Sequence, residues 1–177
     1  MSNSTFSSQS KIWERTRLAN EIQHRQKAGE RAVFTNGCFD LLHLGHIRYL
    51  QEARSQGEFL ILGLNSDESV RLLKGPTRPL VPAEERAEML AALACIDYVT
   101  VFPERTANNL IDLLRPAIYV KGGDYAGAHS DVPDTTRLPE AKVVQAYGGT
   151  IRLIPYLPHH STTELIARIK QLPDRAS

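Results

Sequence analysis

The sequence predicts an α/β protein built on a single doubly wound parallel sheet, and three observations carry that expectation. From residue 31 onward short apolar runs alternate with helical patterns, the runs are apolar at nearly every position, and the residues suited to phosphate chemistry fall where the runs end. A strand without polar alternation is buried on both faces, and the helices between such strands supply the covers. Ligands of such a sheet bind outside the carboxyl ends of its strands.

In chain order, residues 1–10 are rich in Ser and Asn and are expected to be a disordered N-terminus. Residues 11–30 read as a helix whose apolar side is thin, with Ile12, Trp13, Leu18 and Ile22 set among many charges. Such a helix is expected to pack on a neighbouring subunit, making a homodimer. The domain proper occupies 31–172. Strands are expected at 32–35, 59–64, 98–102, 117–120 and 150–154, and helices at 43–56, 67–73, 82–93, 107–114, 138–147 and 161–171. The segment 126–139 is polar, holds Pro133 and Pro139, and has neither period. It reads as a long loop of the kind that forms lids and binding inserts.

Composition narrows the function. A chain of 177 residues fits one domain with a full core. Twenty-one basic against twenty acidic residues leave a net charge of +1, and the basic residues are scattered. That pattern points away from nucleic acid and membrane surfaces and toward a small-molecule partner. Cys38 and Cys95 have no metal-ligand spacing and suit reduced thiols, no stretch resembles a signal peptide, and no run reaches the ~18 apolar residues of a spanning helix. A soluble cytoplasmic protein is the expectation.

The most telling stretch is Asn36-Gly37-Cys38-Phe39-Asp40-Leu41-Leu42-His43-Leu44-Gly45-His46, which reads as a strand end, a sharp loop and a helix start. A helix N-terminus offers unpaired N–H groups and the positive end of its dipole to an anion. His43 and His46 add side-chain donors there, and Gly45 lets a ring or a phosphate approach the backbone. Asp40 either faces a ligand or caps the turn before the helix. Lys74 lies on a loop punctuated by Gly and Pro, and Arg78 and Arg86 offer bidentate forks for phosphate oxygens. For Arg86 a structural ion pair with Glu84 or Glu85 competes. Lys121 and Asp124 bracket Gly122-Gly123 at a strand end, where Asp124 can serve a ligand hydroxyl, a hydrated Mg²⁺ or only a turn. Ser161 and Glu164 have the spacing of a capping box, and Asn65 and Asp67 suit a turn and a helix cap.

These residues carry a resemblance. Residues 37–46 resemble the signature of the cytidylyltransferase-like nucleotidyltransferases, and Thr35 to Leu50 is most similar to the D-glycero-β-D-manno-heptose 1-phosphate adenylyltransferases. The likeness continues through Leu73-Lys74-Gly75-Pro76-Thr77-Arg78-Pro79, Val120-Lys121-Gly122-Gly123-Asp124-Tyr125 and Ser161-Thr162-Thr163-Glu164, covering roughly 12–169. It implies a Rossmann-like sheet of the His-x-Gly-His nucleotidyltransferase type. It also implies an enzyme that joins ATP to the heptose 1-phosphate, giving pyrophosphate and the ADP-heptose used for lipopolysaccharide cores. Under it His43, His46 and Lys74 are catalytic. Asn36, Gly37, Cys38, Phe39, Asp40, Gly45, Ser161 and Thr162 hold the nucleotide, and Arg78, Arg86, Lys121, Gly122 and Asp124 hold the sugar phosphate. Mg²⁺ would come bound mainly through the ATP phosphates, with no protein metal site. Many members carry this domain behind a sugar kinase domain, so a separate kinase is expected to supply the sugar phosphate. Two features depart from the pattern: Pro158-His159-His160 stands where many members have a glycine or a basic residue, and the 126–139 segment is longer. A cytidylyltransferase for glycerol 3-phosphate or a phosphoalkanolamine shares the motif, and a non-catalytic nucleotide-binding regulatory module shares the fold.

Overall fold

The computed structural model describes residues 7–122, 138–155, 157 and 160–172. Five parallel strands, β1 (Ala32–Gly37), β2 (Phe59–Asn65), β3 (Tyr98–Phe102), β4 (Ile118–Gly122) and β5 (Thr150–Ile154), form one sheet in the order β3-β2-β1-β4-β5. All five expected strands are present, and β1, β2 and β4 run one or two residues further toward the site than their apolar runs. The extension is a pairing effect. Asn36 and Gly37 lie opposite Gly63 and Leu64, and Lys121 and Gly122 lie opposite Leu153 and Ile154, so backbone pairing continues where side-chain hydrophobicity stops.

Every residue of β2 is buried. Leu60, Leu62 and Leu64 face one core with Leu50, Leu90, Val99 and Val120, while Phe59 and Ile61 face the other with Leu18, Ile22, Phe34 and Tyr119. The period of two thus survives in a strand whose hydropathy shows none, because both faces are covered. The covers are α1 (Arg15–Lys27), α2 (Leu44–Arg54), α3 (Asp67–Lys74), α4 (Ala83–Ala91), α5 (Asn108–Leu114), α6 (Ala141–Ala146) and α7 (Thr162–Lys170).

The N-terminal helix corrects the sequence reading twice. It begins at Arg15, because Ile12 bridges Val99 and the Trp13 N–H donates to the Val99 carbonyl at 2.9 Å, covering the edge of β3. Glu14 then caps α1, accepting from the N–H groups of Thr16 and Arg17. Its apolar stripe is not left for a neighbouring subunit: Leu18 and Ile22 are 0% exposed against the chain's own sheet, and Trp13 packs edge-on to Tyr98. Of the expected 126–139 loop only Leu138 and Pro139 lie among the described residues, and Asp124 and His159 lie outside them.

The chain leaves β1 toward β2 and β3 on one side, and later returns to place β4 on the other. The reversal between β1 and β4 opens a crevice at their carboxyl ends.

Candidate functional site

At that crevice lies a cleft of about 1180 Å³, lined by residues from the ends of β1 and β4 and the starts of α2, α6 and α7. Pockets for one drug-sized ligand run ~300–1,000 Å³, so this one is large enough for two reactants.

Its centre is the start of α2. His43 is the N-cap in extended conformation and makes no side-chain cap bond, which leaves the first turn of the helix to an incoming anion. The rings of His43 and His46 stack with centroids 3.8 Å apart and planes inclined by 24°. Gly45 permits that arrangement, since a Cβ there would sit 3.0 Å from the His43 ring and from the His160 carbonyl oxygen. Phe39, at φ 45°, turns the chain into this helix and sets its ring 5.2 Å from His46.

Burial, then the neighbouring His43, pushes the His46 pKa down to about 4. His43 is also lowered, by burial and by His160, with Glu164 opposing. Two imidazolium ions at ~4 Å would repel by about 4 kcal/mol at an effective dielectric of 20, so the stack favours neutral rings. Among the described residues the Nδ1 atoms of both rings are buried without a hydrogen-bond partner.

The other expected site residues divide into those presented to the cleft and those used by the fold. Lys74, at the end of α3, is exposed and lines the cleft. Lys121 lines it as well, its Nζ donating to Asn36 Oδ1 at 3.2 Å, and Tyr119 donates to the same oxygen at 2.9 Å. Gly122 is held against the Tyr49 ring, 3.0 Å from where a Cβ would be. Thr162 opens α7 at the cleft wall. Ser161 also lines the wall, but its hydroxyl accepts from the Glu164 N–H while its own backbone N–H donates to the Glu164 carboxylate, completing the expected capping box.

Asp40 does not cap α2. Its Oδ1 accepts from the N–H groups of Leu80 and Val81 at 2.8 and 3.0 Å, and its Oδ2 pairs with Arg78 at 2.7 Å, so it pins the loop that crosses the cleft. Arg78 therefore lines the site already tethered. Arg86 corrects the reading more firmly. It is 0% exposed, and its guanidinium donates to the carbonyls of Val81, Cys38 and Asn65 and to the Asp67 carboxylate. Glu84 and Glu85, offered as partners by sequence proximity, lose to Asp67 because the side chain points inward from α4. Asn65 binds Ser69 Oγ, and Ser66 rather than Asp67 caps α3. Burial raises the Cys38 thiol pKa. Two contributors were missed: Tyr49, one turn past His46 on α2, whose hydroxyl donates to the Val120 carbonyl at 3.1 Å, and Glu140. The spacing of Tyr49 from His46 was the available signal for the first.

An imidazole pair and two helix starts converging on one cleft at the switch point of a parallel sheet define a phosphate-handling α/β protein. A family model described as cytidylyltransferase-like matches residues 34–168. The bifunctional protein HldE of Syntrophotalea carbinolica is 52% identical over 160 residues, which is 90% of this chain and 31% of that protein. The protein of the same name from Geobacter sulfurreducens is 53% identical over 152 residues, 86% of this chain and 29% of its own length. The chain thus spans about a third of the length of these curated relatives. Two solved structures share the fold. A lipopolysaccharide core biosynthesis protein from Thermoplasma volcanium has a TM-score of 0.55 at 24% identity, over 75% of this chain and 100% of that one. A pantoate-beta-alanine ligase from Francisella tularensis has a TM-score of 0.54 at 14% identity, over 90% and 76%. The chain belongs to the cytidylyltransferase-like family and is a nucleotidyltransferase.

Two outcomes are expected. Arg86→Ala strands a carboxylate and three carbonyls and should lower unfolding free energy by about 3–5 kcal/mol in urea denaturation; a loss below 1 kcal/mol would refute the buried node. For His46, a folded pKa near 4 lies below the unfolded value of ~6.5, so between them only the unfolded chain binds the proton. Its contribution is complete above pH ~6.5 and lost as pH falls through about 4. The urea midpoint of wild type should fall more steeply from pH 6.5 to 4 than that of His46→Asn, and parallel profiles would contradict the assignment.

Proposed function

We propose that the chain transfers an adenylyl group from ATP to D-glycero-β-D-manno-heptose 1-phosphate, releasing pyrophosphate and forming ADP-heptose. The observation that carries the reading is the stacked imidazole pair at the uncapped start of α2, in a cleft it shares with the start of α7. Its choice of nucleotide and sugar rests on the likeness of residues 35–50 and 120–125 to heptose adenylyltransferases. It is supported by identity of about 50% to proteins named HldE.

In the reaction an ionised oxygen of the sugar phosphate attacks the α-phosphorus, a new P–O bond forms, and the bond to the bridging oxygen of pyrophosphate breaks. No covalent enzyme intermediate and no protein base are needed, because the attacking oxygen has no proton to lose. The site has to bring two polyanions together and stabilise the charge that moves onto the leaving group. Neutral His43 and His46 can each donate an N–H to phosphate oxygens without repelling one another. The first turns of α2 and α7 add backbone N–H groups, Thr162 a hydroxyl, and Lys74 a mobile charge at the rim. Mg²⁺ belongs to this reading as a partner of the triphosphate, where it would offset phosphate charge. The phosphate oxygens of ATP would be its main anchors. A sugar kinase activity in the same cytoplasm would supply the sugar phosphate. Among the described residues no helix is long and apolar enough to cross a membrane.

The test is a pyrophosphate-release screen crossing ATP and CTP with heptose 1-phosphate, glycerol 3-phosphate and phosphoethanolamine. ATP with the heptose phosphate should dominate, and comparable turnover with CTP would overturn the adenylyl assignment. In the same assay His46→Ala should lower kcat about 10²–10³-fold, as for removal of one transition-state donor. A variant within threefold of wild type would remove His46 from the mechanism.

A further inference from the structure

Glu140 has no part in the chemistry above, yet it lines the cleft while only 4% exposed. It stands at the N-cap of α6 without a side-chain cap bond, and its Oε1 accepts one bond of 3.4 Å from the Ala107 N–H. That long contact ties α6 to α5, and a neutral amide oxygen would serve it equally. The charge is what needs explaining, since a buried carboxylate raises the cost of bringing phosphate near it.

Lys121 lines the same cleft, and the Glu140 charge opposes the lowering of the Lys121 pKa by burial. The two form no direct ion pair. Lys121 instead gives one of its three N–H donors to Asn36 Oδ1, an oxygen that Tyr119 also occupies. Among the described residues the cleft therefore carries a lysine with further donors and a carboxylate with further lone pairs, not closed on one another. A phosphate at this place is repelled by Glu140, and an ammonium by Lys121. A pair of adjacent hydroxyls fits, because it accepts from the ammonium and donates to the carboxylate at once.

We infer that Glu140 and Lys121 together bind a vicinal diol of one of the two reactants, either the acceptor sugar or the nucleotide ribose. This rests on the proposed nucleotidyl transfer, and the two can fail separately. Glu140→Gln retains the oxygen for Ala107 and removes the charge, so a purely structural latch predicts no kinetic change. With wild-type melting temperature verified, steady-state pyrophosphate release should show KM for heptose 1-phosphate raised at least tenfold, with KM for ATP within twofold, if the diol is the acceptor's. If it is the ribose's, KM for ATP rises instead and the wild-type preference for ATP over 2′-deoxy-ATP disappears. Lys121→Met should move the same constant. Should the enzyme use CTP and glycerol 3-phosphate, the adenylyl reading falls, while the same variant reads the pair on glycerol's own diol. A preference for phosphoethanolamine would exclude the acceptor and leave only the ribose, and constants unmoved by more than twofold in both variants would overturn the inference.

Discussion

The buried guanidinium of Arg86 is the constraint on which the site depends. It joins the loop after β1 through Cys38, the end of β2 through Asn65, the start of α3 through Asp67 and the approach to α4 through Val81. A planar fork that never loses its charge and reaches no solvent has to be satisfied by fixed acceptors, and those acceptors are the backbone turns around the cleft. The Cys38 carbonyl directly precedes the left-handed turn at Phe39, which aims the chain at His43 and His46. Asp40 holds the other side of that turn to the loop carrying Arg78. The imidazoles are therefore presented from a braced corner, whereas Lys74 reaches the cleft from an exposed helix end.

The electrostatics follow from how the cations are used. Arg86 is withdrawn into the fold and Arg78 is paired with Asp40, so the start of α2 meets a ligand with dipoles and imidazole rings, and Lys74 and Lys121 carry positive charge elsewhere on the cleft wall. Backbone N–H groups and imidazole N–H groups stabilise charge that develops during a reaction without the desolvation penalty of buried permanent cations. Stacking at 3.8 Å depends on neutral rings, and Gly45 provides the space.

Reading from residue pattern to structure succeeded for the strands because each is apolar at most of its positions, and hydrophobic burial is local information. It succeeded for the Ser161 capping box, whose two partners are three residues apart. It failed where the partner is distant in the chain. Arg86 was offered Glu84 and Glu85, its neighbours, and took Asp67 and the Cys38 carbonyl instead. Asp40 was offered the adjacent helix and took Leu80, Val81 and Arg78. The charged N-terminal helix looked too thinly apolar for the core, yet Leu18 and Ile22 are completely covered by it. Glu140, between Pro139 and the apolar start of α6, gave no sign that it borders a site.

The amino-acid order by itself determined the parallel sheet, the placement of His43 and His46 at a helix start and the family likeness, since these need only periodicity, turn chemistry and short spacing. Which charges face a ligand and which brace the fold was decided by tertiary structure alone. A guanidinium or carboxylate binds whichever acceptor or donor packing brings within about 3 Å, and chain distance says nothing about that.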